Sequence, residues 1–195
     1  MTITIQPRTI ERLRDTLRDS GQREAQVVSP AFETLARAGL LSESEKAAVK
    51  QIQPLAEIMY LTMAADGVVL EIERDVMRGA IIGLSNGEIN AGTVTVLLEG
   101  FAKNLTHASR DERLTEVCDA LKKDVAGAEG AFVLSAAIAF ADDAIVEEEQ
   151  EFINKLAGML GISENRAQQL LNELGADKTV EEENTAQDAL DALDK

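Results

Sequence analysis

One segment of this sequence occurs twice, 76 residues apart, and the repeat constrains the fold more than any other feature. The first copy, residues 64–77, reads AADGVVLEIERDVM, and the second, residues 140–153, reads FADDAIVEEEQEFI. Identical residues recur at four pairs of positions: Ala65 and Ala141, Asp66 and Asp142, Glu71 and Glu147, Glu73 and Glu149. Apolar residues recur around them in a shared frame. Such a repeat indicates one supersecondary unit used twice.

Each copy has the pattern of two helices joined by a tight turn. An apolar helix (54–65 or 130–141) ends in Ala-Asp, a few apolar residues follow, and the next helix carries Glu in its first turn. A third helix in each unit, ending in VLLEG or QLLNE, aligns after a short gap. No segment beyond the isolated MTITI, which we expect to be an extended arm, alternates like a strand. The sequence therefore predicts an all-α, compact bundle of about 8–9 helices with two pseudo-symmetric three-helix repeats.

Local signals predict where individual helices begin and end. Ser42 with Glu45, and Ser109 with Glu112, have the spacing of capping boxes. Gly39 suits a helix end, and another helix is expected to end near Gly83–Gly87. Pro54 is expected to break one helix and start another, because proline removes a hydrogen bond inside a helix. Further helices are predicted at 131–141, after GAEG, and from Ser163 to Gly175.

These boundaries divide the chain into three parts. Residues 1–44 are predicted to form N-terminal helices packed on the core, and residues 45–175 the duplicated helical domain. Residues 176–195 form an acidic tail or a short helix, in which Ala186, Leu190 and Leu193 have helical spacing.

Charge limits the class of partner. The net charge is −16, and residues 128–195, with 16 acidic and 4 basic residues, contribute −12 of it. Phosphates of nucleic acids and anionic membrane surfaces repel such a chain, so we do not expect nucleic-acid binding. Membrane insertion is not expected either, because no apolar run approaches the roughly 20 residues needed to span a bilayer. A protein partner with basic chemistry is favoured, and a homo-oligomer is compatible with the sequence. The opening residues lack the apolar core of a signal peptide, so a cytoplasmic location is expected.

The sequence offers little for catalysis, and we expect a protein that is not an enzyme and has no organic cofactor. His107 is the only histidine, and a loop position before a helix is the favoured interpretation. Cys118, the only cysteine, lies in a helical row of apolar residues and is expected in the core. Neither zinc-ligand spacing nor a phosphate-binding glycine loop occurs.

The acidic turns have two interpretations. Asp66 and Glu73 flank a tight turn, and hard divalent cations such as Ca²⁺ take carboxylate and carbonyl oxygens as ligands. Helix capping predicts the same residues, because Asp accepts hydrogen bonds from the N–H groups that open a helix and Glu is favoured by the helix dipole. Each effect is worth on the order of 0.5–1 kcal/mol. The two interpretations are compatible, since one carboxylate oxygen can cap while the other coordinates.

The Ala-Asp-Gly motif, followed by apolar residues and Glu within a helical repeat, resembles the TerB-like tellurite-resistance family over roughly residues 45–175. The resemblance implies an all-helical protein with two pseudo-symmetric halves, a role in tellurite or general chemical stress, and divalent metal bound by acidic residues without established catalysis. Carried over by position, the metal ligands it implies are Asp66 and Glu73 in the first copy and Asp142 and Glu149 in the second, with Glu71, Glu147 and Asp143 as further candidates. Asp143 departs from the Gly of the motif but adds a carboxylate.

Two functional hypotheses follow. The first is a non-catalytic stress-response module that binds a divalent metal, Ca²⁺ first, at the acidic turns. The second is a metal-free acidic scaffold whose C-terminal third docks a basic protein.

Overall fold

The computed structural model describes residues 5–20, 30–64, 69, 71–140 and 147–177 of the chain. Over these residues the chain forms nine helices and no strand, which confirms the predicted all-α class. The helices are α1 (Pro7–Asp19), α2 (Pro30–Arg37), α3 (Glu43–Met63), α4 (Glu71–Leu84), α5 (Ala91–Asn104), α6 (Arg110–Leu121), α7 (Val125–Ala139), α8 (Glu147–Met159) and α9 (164–177). The first four residues and the tail after residue 177 lie outside the described residues.

Helices α3 and α7 form the centre of the bundle and pack against each other more extensively than any other pair of described helices. From Ile52 to Met63 every residue of α3 is buried, and α7 is buried along most of its length. A helix that is apolar on all sides requires neighbours all round. Helices α4, α5 and α6 cover α3, and α1, α6 and α8 cover α7.

The predicted break at Pro54 is wrong. Helix α3 continues through Pro54 from Glu43 to Met63. A proline inside a helix costs about 3 kcal/mol. Burial of the surrounding turns offsets this cost, because Leu55, Ile58 and neighbouring side chains are almost completely inaccessible to solvent.

Two helix boundaries also differ from prediction. Helix α7 begins at Val125, before GAEG, because the Asp124 side chain caps it by accepting a hydrogen bond from Gly127 N at 3.0 Å. Helix α9 does not end at Gly175 but continues to residue 177. There the Asp177 carboxylate accepts hydrogen bonds from Thr9 Oγ1 and from two nitrogens of Arg12, which hold α9 against α1.

Several of the predicted helix ends are confirmed. Gly39 and Gly87 adopt positive φ values of 66° and 79° after α2 and α4, a conformation that glycine adopts without steric cost. Ser109 and Glu112 form a complete capping box, with both reciprocal hydrogen bonds present. Within the described residues no helix is both long and apolar enough to cross a bilayer.

The second predicted capping box is only half formed. Ser42 Oγ accepts from Glu45 N at 3.1 Å, but the buried Glu45 carboxylate turns away from the cap. Its Oε1 accepts hydrogen bonds from Asn90 N, Asn90 Nδ2 and Thr93 Oγ1 at 3.2, 2.7 and 2.7 Å. Glu45 thus joins the start of α3 to the start of α5.

Replacing Glu45 with alanine should therefore lower the free energy of unfolding by about 2 kcal/mol, because three donors lose a charged acceptor in a buried place. Urea denaturation followed by circular dichroism measures the loss. The matched control is Glu43→Ala in the same helical turn, whose exposed carboxylate pairs with Lys46. Equal effects of the two substitutions would contradict this role for Glu45.

Candidate functional site

Helices α3 and α7 run in the same direction, so both end on the same side of the bundle. A Cβ added at Gly130 would lie 3.0 Å from Leu55 Cδ2, and further along both helices Thr62 Oγ1 lies 3.1 Å from Ser135 Oγ. The second contact lies nearer the C-terminus of both helices than the first, so the two helices are parallel. We call the end at which both helices finish, marked by Ala64 and Phe140, the turn end. The two acidic segments of the repeat follow directly on these two residues in the sequence.

Helix α4 begins at the turn end as well. Its far end leads to Asn90, which is hydrogen-bonded to Glu45 at the start of α3, so α3 and α4 are antiparallel. The first turn of α4 contains Glu71, which is exposed, and Glu73, which is partly buried. At least one candidate ligand region of the first copy therefore lies at the turn end.

Arg110 joins the turn end to α8. Its Nε donates to Leu61 O, in the last turn of α3, at 2.6 Å, and its guanidinium carbon lies 5.0 Å from the centre of the Phe152 ring of α8. The contact gives a donor to a carbonyl in the last turn of α3, where backbone carbonyls can lack partners within the helix, and it adds a cation–π interaction. Burial lowers the pKa of Arg110, while Asp111 opposes this shift. Arg110 thus connects α3, the helix before the first acidic segment, with α8, the helix after the second.

A buried ion pair holds α6 to α3 behind Arg110. Arg113 donates from Nε and Nη2 to the two carboxylate oxygens of Glu57, at 2.6 and 2.9 Å. Asn104 Nδ2, at the end of α5, donates to Glu57 Oε1 at 3.0 Å. The Glu57 side chain is only 1% exposed and that of Arg113 12%. The hydrogen bonds that Arg113 donates to Glu57 raise the pKa of Arg113, so this guanidinium remains charged at neutral pH.

The candidate ligands fall into three groups. Glu71 and Glu73 lie in the first turn of α4. The backbone of Glu147 and Glu149 belongs to the first turn of α8. Asp66, Asp142 and Asp143 lie outside the described residues. In the part of the chain that the structure describes, no three His, Cys, Asp or Glu side chains form a group able to hold a metal ion.

Four helix ends contribute to the electrostatics of the turn end. The C-terminal end of a helix carries about half a negative charge, and two such ends, of α3 and α7, lie on the same side. The acidic residues of both repeat copies adjoin these ends in the sequence. The first turns of α4 and α8 offset this charge, because each helix N-terminus carries about half a positive charge. The net charge of the turn end is therefore set by its acidic side chains.

Cys118 and His107 are residues whose side chains could act as a nucleophile or as an acid–base group. Both differ in chemistry from the acidic residues of the turn end. Cys118 is 1% exposed, and burial, with a smaller effect of Asp119, raises its pKa to about 12. A buried thiol with such a pKa is unreactive at neutral pH, as its predicted core position implies. His107 lies exposed in the turn before α6, as predicted.

Sequence reasoning missed Arg110 and the pair of Glu57 and Arg113. A signal for the pair was present, since Glu57 is an acid within the otherwise apolar stretch IQPLAEIMYLTMA and therefore needs a buried partner. Nothing in the sequence identifies that partner, because it depends on how α6 is oriented against α3.

Comparison with known proteins gives one result. The family model described as tellurite resistance protein TerB matches residues 52–172, which is more than half of the chain and includes both copies of the repeat. No curated protein and no solved structure matches the chain.

Proposed function

We propose that this chain, which belongs to the TerB tellurite-resistance family, is a non-catalytic stress-response module that binds a divalent cation at its turn end. Calcium is the first expectation, because the candidate ligands are all carboxylates and Ca²⁺ prefers several oxygen ligands in flexible geometry. The family relationship supports a role connected with tellurite resistance. Binding of the cation is the molecular activity that we assign to it.

The parallel arrangement of α3 and α7 carries this proposal. It gives the two helix ends that precede the acidic segments a common side of the molecule, as the contacts of Gly130 and Ser135 indicate. If the two helices were antiparallel, the two acidic segments would start from opposite ends of the bundle. With a parallel pair, both acidic segments start from the same side of the bundle, where we expect repulsion among carboxylates that a divalent cation would relieve.

The proposed ligands are Asp66 and Glu73 in the first copy and Asp142 and Glu149 in the second, with Glu71, Glu147 and Asp143 as additional donors. Two carboxylates and the backbone carbonyls of a turn would supply the oxygen ligands of each site. The second copy contains more carboxylates, so we expect it to bind more tightly. Capping of α4 and α8 by the same residues is compatible with this role.

Calorimetric titration with Ca²⁺, Mg²⁺, Mn²⁺ and Zn²⁺ tests the proposal. The wild-type protein should bind Ca²⁺ with measurable heat, and the double substitution Asp66→Ala/Asp142→Ala should weaken binding at least tenfold, because it removes one charged ligand from each copy. The control Glu88→Ala/Glu99→Ala removes the same charge from exposed positions outside the turn end and should bind as the wild type does. Binding heat that is absent, or that is unchanged in Asp66→Ala/Asp142→Ala, would refute cation binding at the turns.

The alternative is a metal-free scaffold that docks a basic protein. The balance of −12 over residues 128–195 favours it. Such an interaction should weaken with salt, since charges on the surface are screened, and should be lost when residues 176–195 and Glu147–Glu149 are removed. A pull-down that is insensitive to both changes excludes the scaffold.

A further inference from the structure

An apolar groove of about 610 Å³ lies between α1 and α4, away from the ion pairs described above. Apolar side chains and glycines form most of its lining, including Ile5, Ile10, Ile72, Val76 and Gly79. Ile72 is 45% exposed, and a Cβ added at Gly79 would meet no atom within 4 Å. Exposed apolar surface of this kind usually marks a place where another segment binds.

The chain itself has a segment that suits the groove. After Asp177, 18 residues follow, and within them Ala186, Leu190 and Leu193 recur at the spacing of one helical face. Most other positions between 181 and 195 are acidic or polar. A short helix with a single apolar stripe is stable only when that stripe is packed against something.

The tail starts at α1, the helix that forms one wall of the groove. Asp177 is held by hydrogen bonds from Thr9 and Arg12 and by an ion pair with Arg8, all on α1. At 100° per residue these positions lie on the side of α1 opposite Pro7, Ile10 and Arg14, which line the groove. The tail must therefore pass around α1 to reach it.

The length of the tail allows this path. Half the circumference of a helix 10–12 Å in diameter is about 16–19 Å. The eight residues 178–185 span about 26 Å when extended. Residues 186–193 would then lie beside the groove with their apolar stripe available.

We propose that residues 186–193 dock as a helix in the groove between α1 and α4, with Leu190 and Leu193 inserted beside Ile72 and Gly79. The docked tail covers the exposed Ile72 and fixes the exposed side of α1. This docking requires no metal, although Ile72 lies between the proposed ligands Glu71 and Glu73 in the first turn of α4.

Disulfide trapping in the full-length chain tests the docking. In a Cys118→Ala background, cysteines are introduced as Gly79→Cys with Leu190→Cys, and as Glu99→Cys with Leu190→Cys for the control. Glu99 is exposed on α5 and lies outside the groove. Under mild oxidation the first pair should form an intramolecular disulfide roughly tenfold faster than the control, because docking raises the effective concentration of the two thiols. Equal rates, or a disulfide found only between two copies of the chain, would overturn the proposal.

Hydrogen exchange gives a second readout without cysteines. The substitution Leu190→Asp/Leu193→Asp should accelerate amide exchange in residues 72–80 of α4 and in α1. Asp188→Ala/Asp191→Ala, on the polar side of the tail, should leave exchange unchanged. Unchanged exchange in the leucine variant would also overturn the proposal.

Discussion

Replacing Arg113 with methionine should lower the free energy of unfolding by about 3–5 kcal/mol. The substitution leaves the Glu57 carboxylate buried without its bidentate partner, and only Asn104 continues to donate to it. Removing one member of a buried ion pair is costly because the remaining charge keeps its desolvation penalty. Equilibrium urea unfolding measures the loss.

Two further variants separate this explanation from simple loss of packing. Glu57→Leu/Arg113→Met should recover most of the stability, since replacing both members of a buried pair by apolar residues is often neutral. Arg78→Met, which removes the exposed pair with Asp75, should cost at most about 1 kcal/mol. If the double variant were as unstable as Arg113→Met alone, the unpaired Glu57 would not be the cause.

Replacing Gly130 with leucine should destabilise the protein by about 3 kcal/mol. Gly130 is buried where α7 crosses α3, and even a Cβ at this position would lie 3.0 Å from Leu55 Cδ2 and 3.8 Å from Leu17 Cδ2. A leucine side chain must push the two helices apart. Thermal and urea unfolding should both register the loss.

The matched control is Gly158→Leu in α8. Gly158 is exposed, and a Cβ there meets nothing within 4 Å. Leucine is a better helix former than glycine, so this variant should gain about 0.5–1 kcal/mol. The two substitutions are chemically identical and should have opposite signs. A neutral Gly130→Leu would contradict the close parallel packing of α3 and α7.

The sequence predicted the helices well because their signals are local. The capping box at Ser109 and Glu112 and the glycines at 39 and 87 act within one turn of the chain, and the structure confirms them. Pro54 shows where such reasoning fails. Its local signal favours a break, but burial of the whole α3 segment outweighs it.

The partners of charged residues could not be predicted because they depend on how the helices pack against one another. Glu57 needs a buried counter-charge, but the choice of Arg113 follows from the antiparallel crossing of α3 and α6. Glu45 fits a capping box by its spacing, yet its carboxylate bonds to Asn90 and Thr93 across the bundle. The repeat indicates which segments correspond in the two halves, whereas only the contacts of Gly130 and Ser135 establish that α3 and α7 are parallel. The pseudo-symmetry of the two units remains a prediction.

Paramagnetic broadening by Mn²⁺ tests whether both acidic segments bind divalent cation at the turn end, as proposed. Amide signals of the ¹⁵N-labelled protein are followed during substoichiometric addition of Mn²⁺, which takes oxygen ligands as Ca²⁺ and Mg²⁺ do. We expect selective loss of signals from Ala64, Glu71 and Glu73, and from Phe140, Glu147 and Glu149, with reversal by excess Ca²⁺. Signals near Asn90 and Asp124, distant from the turn end, should persist. Broadening spread evenly over exposed carboxylates such as Glu88 and Glu99, or no broadening at all, would contradict the claim.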